Sequence, residues 1–281
     1  MKHVWRVLGA MGIAVAVLLL GWKLVAELIE PHFLLWLGPH EPPIEVPAVA
    51  GTTLRLYSDT RPHVGKVAAL QKGLAWMSDG RLLIEEGYGF GCPIIEWKGM
   101  AYLSQHAETE IVEHGEGTRL VKRYDIDTVD TAIQLLRRKY RRVSSLGQVV
   151  FRYDVYPDGT IDVEVDFSEL EVPWTRAYVM NEQGARRFIH YTDATGRALS
   201  GEEIGIWEPA EGFIPRACFE SRDRQLQFCV EAQPPATVYY GRERYQQYNW
   251  RGIFYLSWAG VDIELTAPRD VYRYRVILEV Q

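Results

Sequence analysis

The stretch FRYDVYPDGTIDVEVDF, Phe151–Phe167, decides the fold class of this chain. Its centre, Pro157-Asp158-Gly159, has the composition of a tight turn, because proline presets φ and glycine accepts a positive φ. Apolar and polar residues alternate on both sides of the turn, with the period of two expected of a strand that has one buried face. The stretch predicts an antiparallel hairpin of two strands, Val149–Tyr156 and Thr160–Phe167.

Two registers of this hairpin can form. Pairing Tyr156 with Thr160 sets apolar residues opposite one another on one face and polar residues opposite one another on the other. The pairs are Val155 with Ile161, Tyr153 with Val163, Phe151 with Val165, Arg152 with Glu164 and Asp154 with Asp162. A register shifted by one residue would set Val155 against an aspartate, so we reject it.

The same period of two recurs near the C-terminus, in Val261–Leu265 and Tyr272–Val280. Turn signals separate further strands, at Ser78–Gly80, Asn181–Gly184 and Asp193–Gly196. Many short strands spaced by turns predict an all-β chain folded as a large antiparallel β-sandwich. Gly87–Pro93, with three glycines, predicts a bend or bulge within a strand. One segment, Asp130–Arg142, is predicted as a helix with Asp130 as its N-cap.

An apolar segment precedes the predicted sandwich. Val7–Trp22 is uncharged between Arg6 and Lys23, and with its neighbours it reaches about 20 residues, enough to cross the hydrocarbon core. Lys2 and Arg6 precede the segment while glutamates follow it, so the positive-inside rule places the N-terminus in the cytoplasm. We prefer an uncleaved signal anchor to a cleaved signal peptide, because Leu24-Val25-Ala26 matches the cleavage preference poorly.

These features divide the chain into three parts. Residues 1–30 are predicted to form a cytoplasmic tip and a transmembrane signal anchor. Residues 31–51 form an interfacial segment and a linker, which four prolines between positions 39 and 47 would keep extended. Residues 52–281 form an extracytoplasmic β-sandwich domain of a single-pass cell-membrane protein.

Net charge and the absence of several sequence motifs argue against some classes of function. Its net charge of −6 argues against a general nucleic-acid binder. The chain contains no P-loop, no G-x-G-x-x-G and no G-x-S-x-G motif, so we predict no cofactor and name no catalytic residue.

Three cysteines are present, and no Cys-x-x-Cys motif predicts a zinc site. A hairpin that turns at Asp223-Arg224 would set Cys218 directly opposite Cys229. Two interpretations stay open for this pair: a cross-strand disulfide, or two small buried side chains that remain reduced.

Three charged clusters are candidate binding sites. The three aspartates of Asp125–Asp130 lack the glycine and the glutamate of an EF-hand loop, so a solvated strand face is preferred. Asp154 opposite Asp162 is a second acid pair, for which solvent exposure is preferred to Ca²⁺ binding, and no metal site is predicted. Arg137–Arg142 is either a solvated face, which we prefer, or a contact for anionic lipid, acidic glycan or an acidic partner.

A second stretch, VYYGRERYQQYNWRG at Val238–Gly252, combines aromatic rings with polar side chains. Aromatic rings stack on the apolar faces of sugar rings, while arginine, asparagine and glutamate hydrogen-bond the hydroxyls. The predicted ligand-binding residues are Arg242, Glu243, Tyr245, Tyr248, Asn249, Trp250 and Arg251. The alternative is that the rings fill the rim of the sandwich and the arginines stack on them.

The order of these features over Val149–Val280 resembles the galactose mutarotase-like super-sandwich, in particular the small-chain domain of family 2-type β-galactosidases. The hairpin Phe151–Phe167 is similar to that domain's strand, acidic turn and strand. Ile214-Pro215-Arg216 and Val238–Arg242 are similar to its Leu-Pro-Arg and Tyr-Gly-Arg segments, and Tyr245 or Tyr248 and Arg251 fall where its Tyr and Arg follow. The family's Gly-Pro-x-Glu-Asn core is replaced here by Glu243–Gln247.

The resemblance implies a super-sandwich fold, without the catalytic barrel that β-galactosidase activity requires. Mutarotases of this superfamily use a glutamate base and a histidine acid, which would make Glu243 with His106 or His190 such a pair. Three hypotheses follow: a membrane-anchored domain that binds carbohydrate or another envelope component, a non-catalytic accessory subunit with a membrane-protein partner, or a carbohydrate-active enzyme of epimerase or lyase type.

Overall fold

The computed structural model describes residues 42–57, 73–85, 87–114, 117–135, 138–249 and 252–281, with six helical residues between 12 and 21. The chain separates into two compact units: Met1–Pro39 with Thr128–Ser144, and His40–Asp127 with Ser145–Gln281. The predicted anchor lies in the first unit, mostly outside the described residues. Within the described residues, no helix has the length and apolar character needed to span a bilayer.

The second unit is built from β-strands, as the sequence predicts. The strands of the described chain are β1 (Ile44–Pro47), β2 (Thr53–Leu56), β3 (Ala75–Ser78), β4 (Arg81–Leu82), β5 (Gly89–Trp97), β6 (Met100–His114), β7 (Gly117–Leu135), β8 (Arg138–Val155), β9 (Thr160–Asp166), β10 (Arg176–Gln183), β11 (Phe188–Asp193), β12 (Ala198–Ser200), β13 (Glu208–Pro209), β14 (Arg216–Ser221), β15 (Leu226–Glu231), β16 (Thr237–Asn249), β17 (Gly252–Thr266) and β18 (Val271–Val280).

The predicted central hairpin forms in the predicted register. Strands β8 and β9 pair antiparallel, with Val155 opposite Ile161, Asp154 opposite Asp162 and Arg152 opposite Glu164. Tyr156 N–H donates to the carbonyl of Thr160 at 2.9 Å and closes the turn. The alternation of apolar and polar residues therefore selected the correct one of the two registers.

The hydrogen-bonded strands form one small sheet and one very large one. Strands β1 to β4 make a four-stranded sheet in chain order. The large sheet has fourteen strands in the order β12-β11-β14-β15-β18-β9-β8-β7-β6-β5-β10-β17-β16-β13. The all-β prediction is confirmed, with large antiparallel sheets.

Side chains from distant parts of the large sheet meet in one buried core, which makes the unit a sandwich. Phe90 of β5 packs edge to face on Phe228 of β15, with ring centroids 5.4 Å apart. Tyr191 of β11 stacks on Tyr240 of β16 at 4.3 Å. These pairs are neighbours across the core and not along a strand pairing, so two halves of the sheet lie face to face.

A bulge interrupts β5 where the glycine-rich segment Gly87–Pro93 predicts one. Met180 of β10 faces Cys92 and the next residue, Asn181, faces Phe90, so Gly91 is left without a pairing partner. Gly91 has a φ of 81°, and a Cβ at this position would lie 2.5 Å from Oη of Tyr153. The bulge therefore needs glycine both for its backbone conformation and for the close approach of a core tyrosine.

The prediction of a helix at Asp130–Arg142 is wrong. Strand β7 continues to Leu135 and β8 begins at Arg138, so the segment is the end of a long strand pair. Strands β7 and β8 are hydrogen-bonded neighbours in the large sheet, and such pairing outweighs the helical preference of a Leu- and Arg-rich segment.

The segment described as a proline-rich linker contains the first strand of the small sheet. Ile44–Pro47 pairs with Thr53–Leu56, and Val46 is buried. In the part of the chain that the structure describes, the first strand therefore begins at Ile44, within the range 31–51 that composition alone indicated as linker.

Cys218 and Cys229 lie opposite each other in the β14–β15 hairpin and form a disulfide. This decides between the two interpretations that the sequence leaves open. The remaining cysteine, Cys92, is buried in β5 and takes no part in the disulfide.

We predict that Gly159→Ala lowers the free energy of unfolding by about 2–4 kcal/mol, because the added Cβ would overlap the carbonyl oxygen of Leu278 at a φ of 91°. Gly196→Ala is the matched control: its φ is 87°, yet no atom lies within 4 Å of the added Cβ. It should cost about 1 kcal/mol, from backbone strain alone. Urea titration of both variants measures the difference, and equal losses would contradict the predicted overlap.

Candidate functional site

Arg242, the first predicted ligand-binding residue, points to the interior of the unit. Its side chain is buried, and its Nε and Nη2 donate to the carbonyl of Ala185 at 3.2 and 3.0 Å. Nη1 donates to the carbonyl of Gly201 at 3.3 Å and lies 3.5 Å from Glu202 Oε1. Arg242 therefore holds two loop segments together through their main chain.

The other predicted residues divide into two groups. Tyr245 is exposed over 44% of its surface, and Glu243 is half-buried on the same strand. The side chains of Tyr248 and Asn249, and all of Trp250 and Arg251, lie outside the described residues, so their roles stay predictions.

The structure does not pair Glu243 with a histidine in the part of the chain that it describes. Glu243 Oε2 accepts a hydrogen bond from the indole Nε1 of Trp258 at 2.9 Å. His190 lies on β11, where its Nδ1 is 2.9 Å from Oγ of Ser200. The side chain of His106 lies outside the described residues.

The bond from Trp258 to Glu243 belongs to the outer face of the β16–β17 pair. In this pairing Glu243 faces Trp258, Gly241 faces Gly260, and Tyr239 faces Asp262. The residues between them, among them Val238, Tyr240, Val261 and Ile263, are buried in the core. The face opposite the core therefore carries two carboxylates, two aromatic rings and a pair of glycines.

The paired glycines let other groups approach this face closely. A Cβ on Gly241 would overlap the main-chain nitrogen of Trp207. A Cβ on Gly260 would lie 2.6 Å from the carbonyl oxygen of Asn181 and 2.7 Å from Cγ of Glu182. Glycine in a strand often marks such an approach. Here Gly241 lets the loop residue Trp207 lie on the sheet, and Gly260 leaves room for the side chain of Glu182 on the neighbouring strand β10.

Trp207 covers the centre of the face. It lies between the turn Gly201–Glu203 and β13, and its φ of 52° is one that only few non-glycine residues adopt. Its ring stacks on Tyr239 with centroids 4.6 Å apart, and its Nε1 donates to Oδ2 of Asp262 at 3.0 Å. These contacts hold Trp207 in its strained backbone conformation.

Two buried carboxyl groups lie at this centre. Asp262 is 0% and Glu182 is 2% exposed. Asp262 Oδ1 accepts from Asn181 N at 2.8 Å, and Glu182 Oε2 accepts from Tyr88 N at 2.9 Å. No ion pair among the described residues includes Glu182, Glu243 or Asp262, so main-chain and indole N–H groups are their hydrogen-bond donors here.

Burial raises the pKa of Asp262 to about 7. It also raises the pKa of Glu182 well above its ordinary value, and the nearby charges of Asp262 and Glu243 add to that rise. Two carboxyl groups in such surroundings share a proton more readily than they both ionise. We call Trp207, Trp258, Glu182, Glu243 and Asp262 the tryptophan–carboxylate site.

The site offers a flat aromatic surface beside hydrogen-bond acceptors. Trp207 and Glu243 are half-buried, and Tyr245 is exposed. In the part of the chain that the structure describes, no three His, Cys, Asp or Glu side chains are grouped so as to hold a metal ion. The geometry suits an uncharged ligand that stacks on a ring and donates hydrogen bonds.

Sequence reasoning located Glu243 but missed most of this site. Asp262 alternates with apolar residues in β17, a pattern typical of a solvent-facing side chain. Trp207 comes from a loop 55 residues away from Asp262. The signal that could have indicated the site is the pair Gly241 and Gly260, two glycines within strands that otherwise favour bulky residues.

Comparison with known proteins gives distant structural similarities. No family model matches this chain, and no curated protein matches it. Solved structures similar to it include an aldose 1-epimerase candidate from Escherichia coli K12, with 10% identity and a TM-score of 0.49 over 85% of this chain and 99% of that one. Others are a GalM/aldose epimerase homologue from C. elegans (10%, 0.41; 85% and 98% covered) and a galactose mutarotase-like protein from Lactobacillus casei ATCC 334 (7%, 0.42; 85% and 100%).

These neighbours have galactose mutarotase-like and aldose epimerase folds at low sequence identity, in agreement with the resemblance found in the sequence. We draw no conclusion about ligand or activity from them. The function is inferred below from the site itself.

We predict that the protein loses stability as the pH rises through the titration range of the buried pair. The pKa of Asp262 rises from 3.8 in the unfolded chain to about 7 on folding, so between these values the folded state binds more protons and the free energy of unfolding falls with pH. Glu182→Gln keeps an acceptor for Tyr88 N–H and removes one of the two coupled charges, so the fall should be smaller.

Urea titrations at about pH 5 and about pH 8 measure this dependence. Other aspartates, such as Asp166 and Asp193, have a pKa that folding lowers from 3.8. Their titration changes stability only at more acidic pH, so it does not contribute to the difference between about pH 5 and about pH 8. Glu211→Gln, at an exposed loop position, is the control and should not change the fall. If Glu182→Gln matched the control, the coupling of the buried pair would be disproved.

Proposed function

We propose that this chain is a carbohydrate-binding protein whose ligand contacts the tryptophan–carboxylate site. The observation that carries the proposal is the fixed indole of Trp207. Asp262 holds its Nε1 at 3.0 Å, and Tyr239 stacks beneath its ring at 4.6 Å. A ring that is fixed before binding loses little conformational entropy when a sugar stacks on it.

The neighbouring groups supply the polar part of a sugar site. Glu243 is held at 2.9 Å by the indole N–H of Trp258 and keeps further lone pairs for hydroxyl donors. The exposed ring of Tyr245 follows two residues later on the same strand. We propose that Tyr248, Asn249, Trp250 and Arg251 extend this surface toward the β16–β17 turn.

We also propose that residues 1–30 anchor the chain in a cell membrane, with the N-terminus cytoplasmic and the remainder extracytoplasmic. The uncharged run Val7–Trp22 and its flanking cations support this proposal. Val15 and Leu18 within it are helical, with 53% and 72% of their surfaces exposed. The sugar ligand would then be a component of the cell envelope.

We predict that Trp207→Ala and Glu243→Gln each weaken carbohydrate binding about tenfold or more, equivalent to at least about 1.4 kcal/mol. Isothermal titration calorimetry of the full chain against neutral and acidic oligosaccharides measures the affinity, in a detergent without a sugar headgroup. Trp97→Ala is the matched control, because Trp97 is also half-buried but packs on Tyr102 of β6.

The outcomes separate the three hypotheses. Loss of affinity in both variants while each still unfolds in one cooperative transition, and no loss in the control, would support binding at this site. Absence of binding to any glycan, with both variants strongly destabilised, would favour an accessory subunit in which the rings only pack. A change in the anomeric composition of the titrated sugar, followed by NMR, would favour an enzyme that uses the Glu182–Asp262 pair in proton transfer.

We predict that the double variant Val15→Arg/Leu18→Arg releases the chain from membranes, because each arginine at the centre of a spanning helix costs about 3 kcal/mol. Fractionation with alkaline carbonate extraction measures the released share. Val271→Arg, at an exposed apolar position of β18, should leave the chain in the pellet. Extraction of the unaltered chain by carbonate would contradict the anchor.

A further inference from the structure

We propose that the outer face of the other half of the sandwich carries a second binding site, a groove for a neutral, polyhydroxylated chain such as a glycan segment. Strands β7, β8, β9, β18, β15 and β14 contribute the lining. We call it the arginine groove, and its charged residues are Arg119, Arg152, Arg216, Arg273, Arg275, Asp154, Asp162, Glu164 and Glu231. Its volume of about 720 Å³ falls within the range of about 300–1,000 Å³ usual for small-ligand sites.

The strand register arranges these groups in rows across the sheet. Asp154 faces Asp162, Asp162 faces Arg275, Arg275 faces Glu231, and Glu231 faces Arg216. Neighbouring strands are about 4.8 Å apart. Hydrogen-bonding side chains therefore recur at regular intervals of one strand along the row. A ligand made of linked rings with hydroxyl groups could bond to several of them at once.

Each guanidinium in the groove is fixed by a carboxylate. Arg119 binds Asp154 through two bonds of 2.6 and 2.7 Å, and Arg275 Nε donates to Asp162 at 2.7 Å. Glu164 accepts from Arg152 at 3.0 Å and from Arg273 at 2.8 Å. An arginine has five N–H donors, so these bonds orient the side chains and leave donors for a ligand.

The wall of the groove is also held in place. Tyr272 Oη accepts from Gln233 N and donates to Gln233 O, both at 2.9 Å. The disulfide joins the two strands that carry Arg216 and Glu231. Arg216 Nη2 lies 3.3 Å from Sγ of Cys229, so the arginine rests on the disulfide. A rigid wall lowers the entropy lost on binding.

The charge of the groove selects the ligand class. Five arginines and four carboxylates line it. A polyanion would therefore be repelled by the carboxylates, and a polycation would be repelled by the guanidinium groups. Neutral hydroxyls both donate and accept, and they can bond to either partner of each ion pair. Exposed ion pairs add little to stability, so fold stability alone gives little reason for this array.

The groove is distinct from the tryptophan–carboxylate site, which lies on β16 and β17. No residue is shared between the two, and neither proposal depends on the other. A substitution in one site therefore removes no residue of the other.

Two variants remove a groove group without leaving a partner charge unpaired. Arg273→Ala leaves Glu164 bonded to Arg152, and Glu231→Gln leaves Arg216 with Glu279 at 3.2 Å. Both should fold with unchanged melting temperatures. The control is Arg222→Ala, an exposed arginine at the far end of the β14–β15 hairpin, outside the groove.

The test is calorimetric titration of the full chain, in a detergent without a sugar headgroup, with neutral cello-, malto- and chito-oligosaccharides and with acidic oligogalacturonate. We expect a neutral oligosaccharide to bind, and to lose affinity about tenfold or more in Arg273→Ala and in Glu231→Gln. Affinity should hold in Arg222→Ala, and it should change little with added salt.

Three results would overturn the inference. Neutral binding that only Trp207→Ala removes would assign all recognition to the tryptophan–carboxylate site. Salt-sensitive binding of the acidic oligosaccharide, lost in Arg273→Ala, would identify an anion site. Absence of binding by every probe, or unchanged binding in both groove variants, would leave the ion pairs as a surface feature of the sheet.

Discussion

The buried main-chain groups of Gly91 impose the constraint on which the rest of the sandwich depends. The bulge removes this residue from the β5–β10 ladder, so its N–H and C=O need other partners within the core. Its carbonyl accepts hydrogen bonds from Tyr124 and Tyr153, both at 2.9 Å. Its N–H donates to Oδ1 of Asn181 at 3.2 Å. Strands β7 and β8 are thereby tied to β5 and β10 through polar contacts inside an apolar core.

The same network extends to the candidate site. Asn181 Oδ1 also accepts from Tyr274 of β18 at 2.9 Å, and Asn181 N donates to Asp262 at 2.8 Å. Asp262 in turn holds the indole of Trp207. A continuous set of bonds therefore connects the bulge, the face-to-face contact of the two halves and the ring proposed to stack on sugar. Such buried networks specify one arrangement strongly, because each unmade bond is costly.

The two proposed binding faces use the sheet in different ways. On β16 and β17, two glycines opposite each other leave space for a loop tryptophan to pack on the buried carboxylates. Among the described residues, no cation forms an ion pair with these carboxylates. In the arginine groove, every carboxylate of the lining forms an ion pair with an arginine, and these pairs are partly exposed to solvent. The first surface offers a ring and acceptors, and the second offers donors and acceptors close to one another. Both suit uncharged, hydroxyl-rich ligands for different physical reasons.

Four features follow from the residues alone: the all-β class, the register of the β8–β9 hairpin, the bulge in Gly87–Pro93 and the alignment of Cys218 with Cys229. Each of these depends on residues close together in the chain, where turn chemistry and a period of two act directly. Contacts between distant segments were needed to establish that 130–135 and 138–142 are strand, that Arg242 binds loop carbonyls, and that Trp207 covers Asp262. Those outcomes depend on partners 41 to 57 residues away for Arg242 and 55 residues away for Trp207, and on sheet pairing that overrides local preference. Local pattern carries no information about which distant group a side chain will meet.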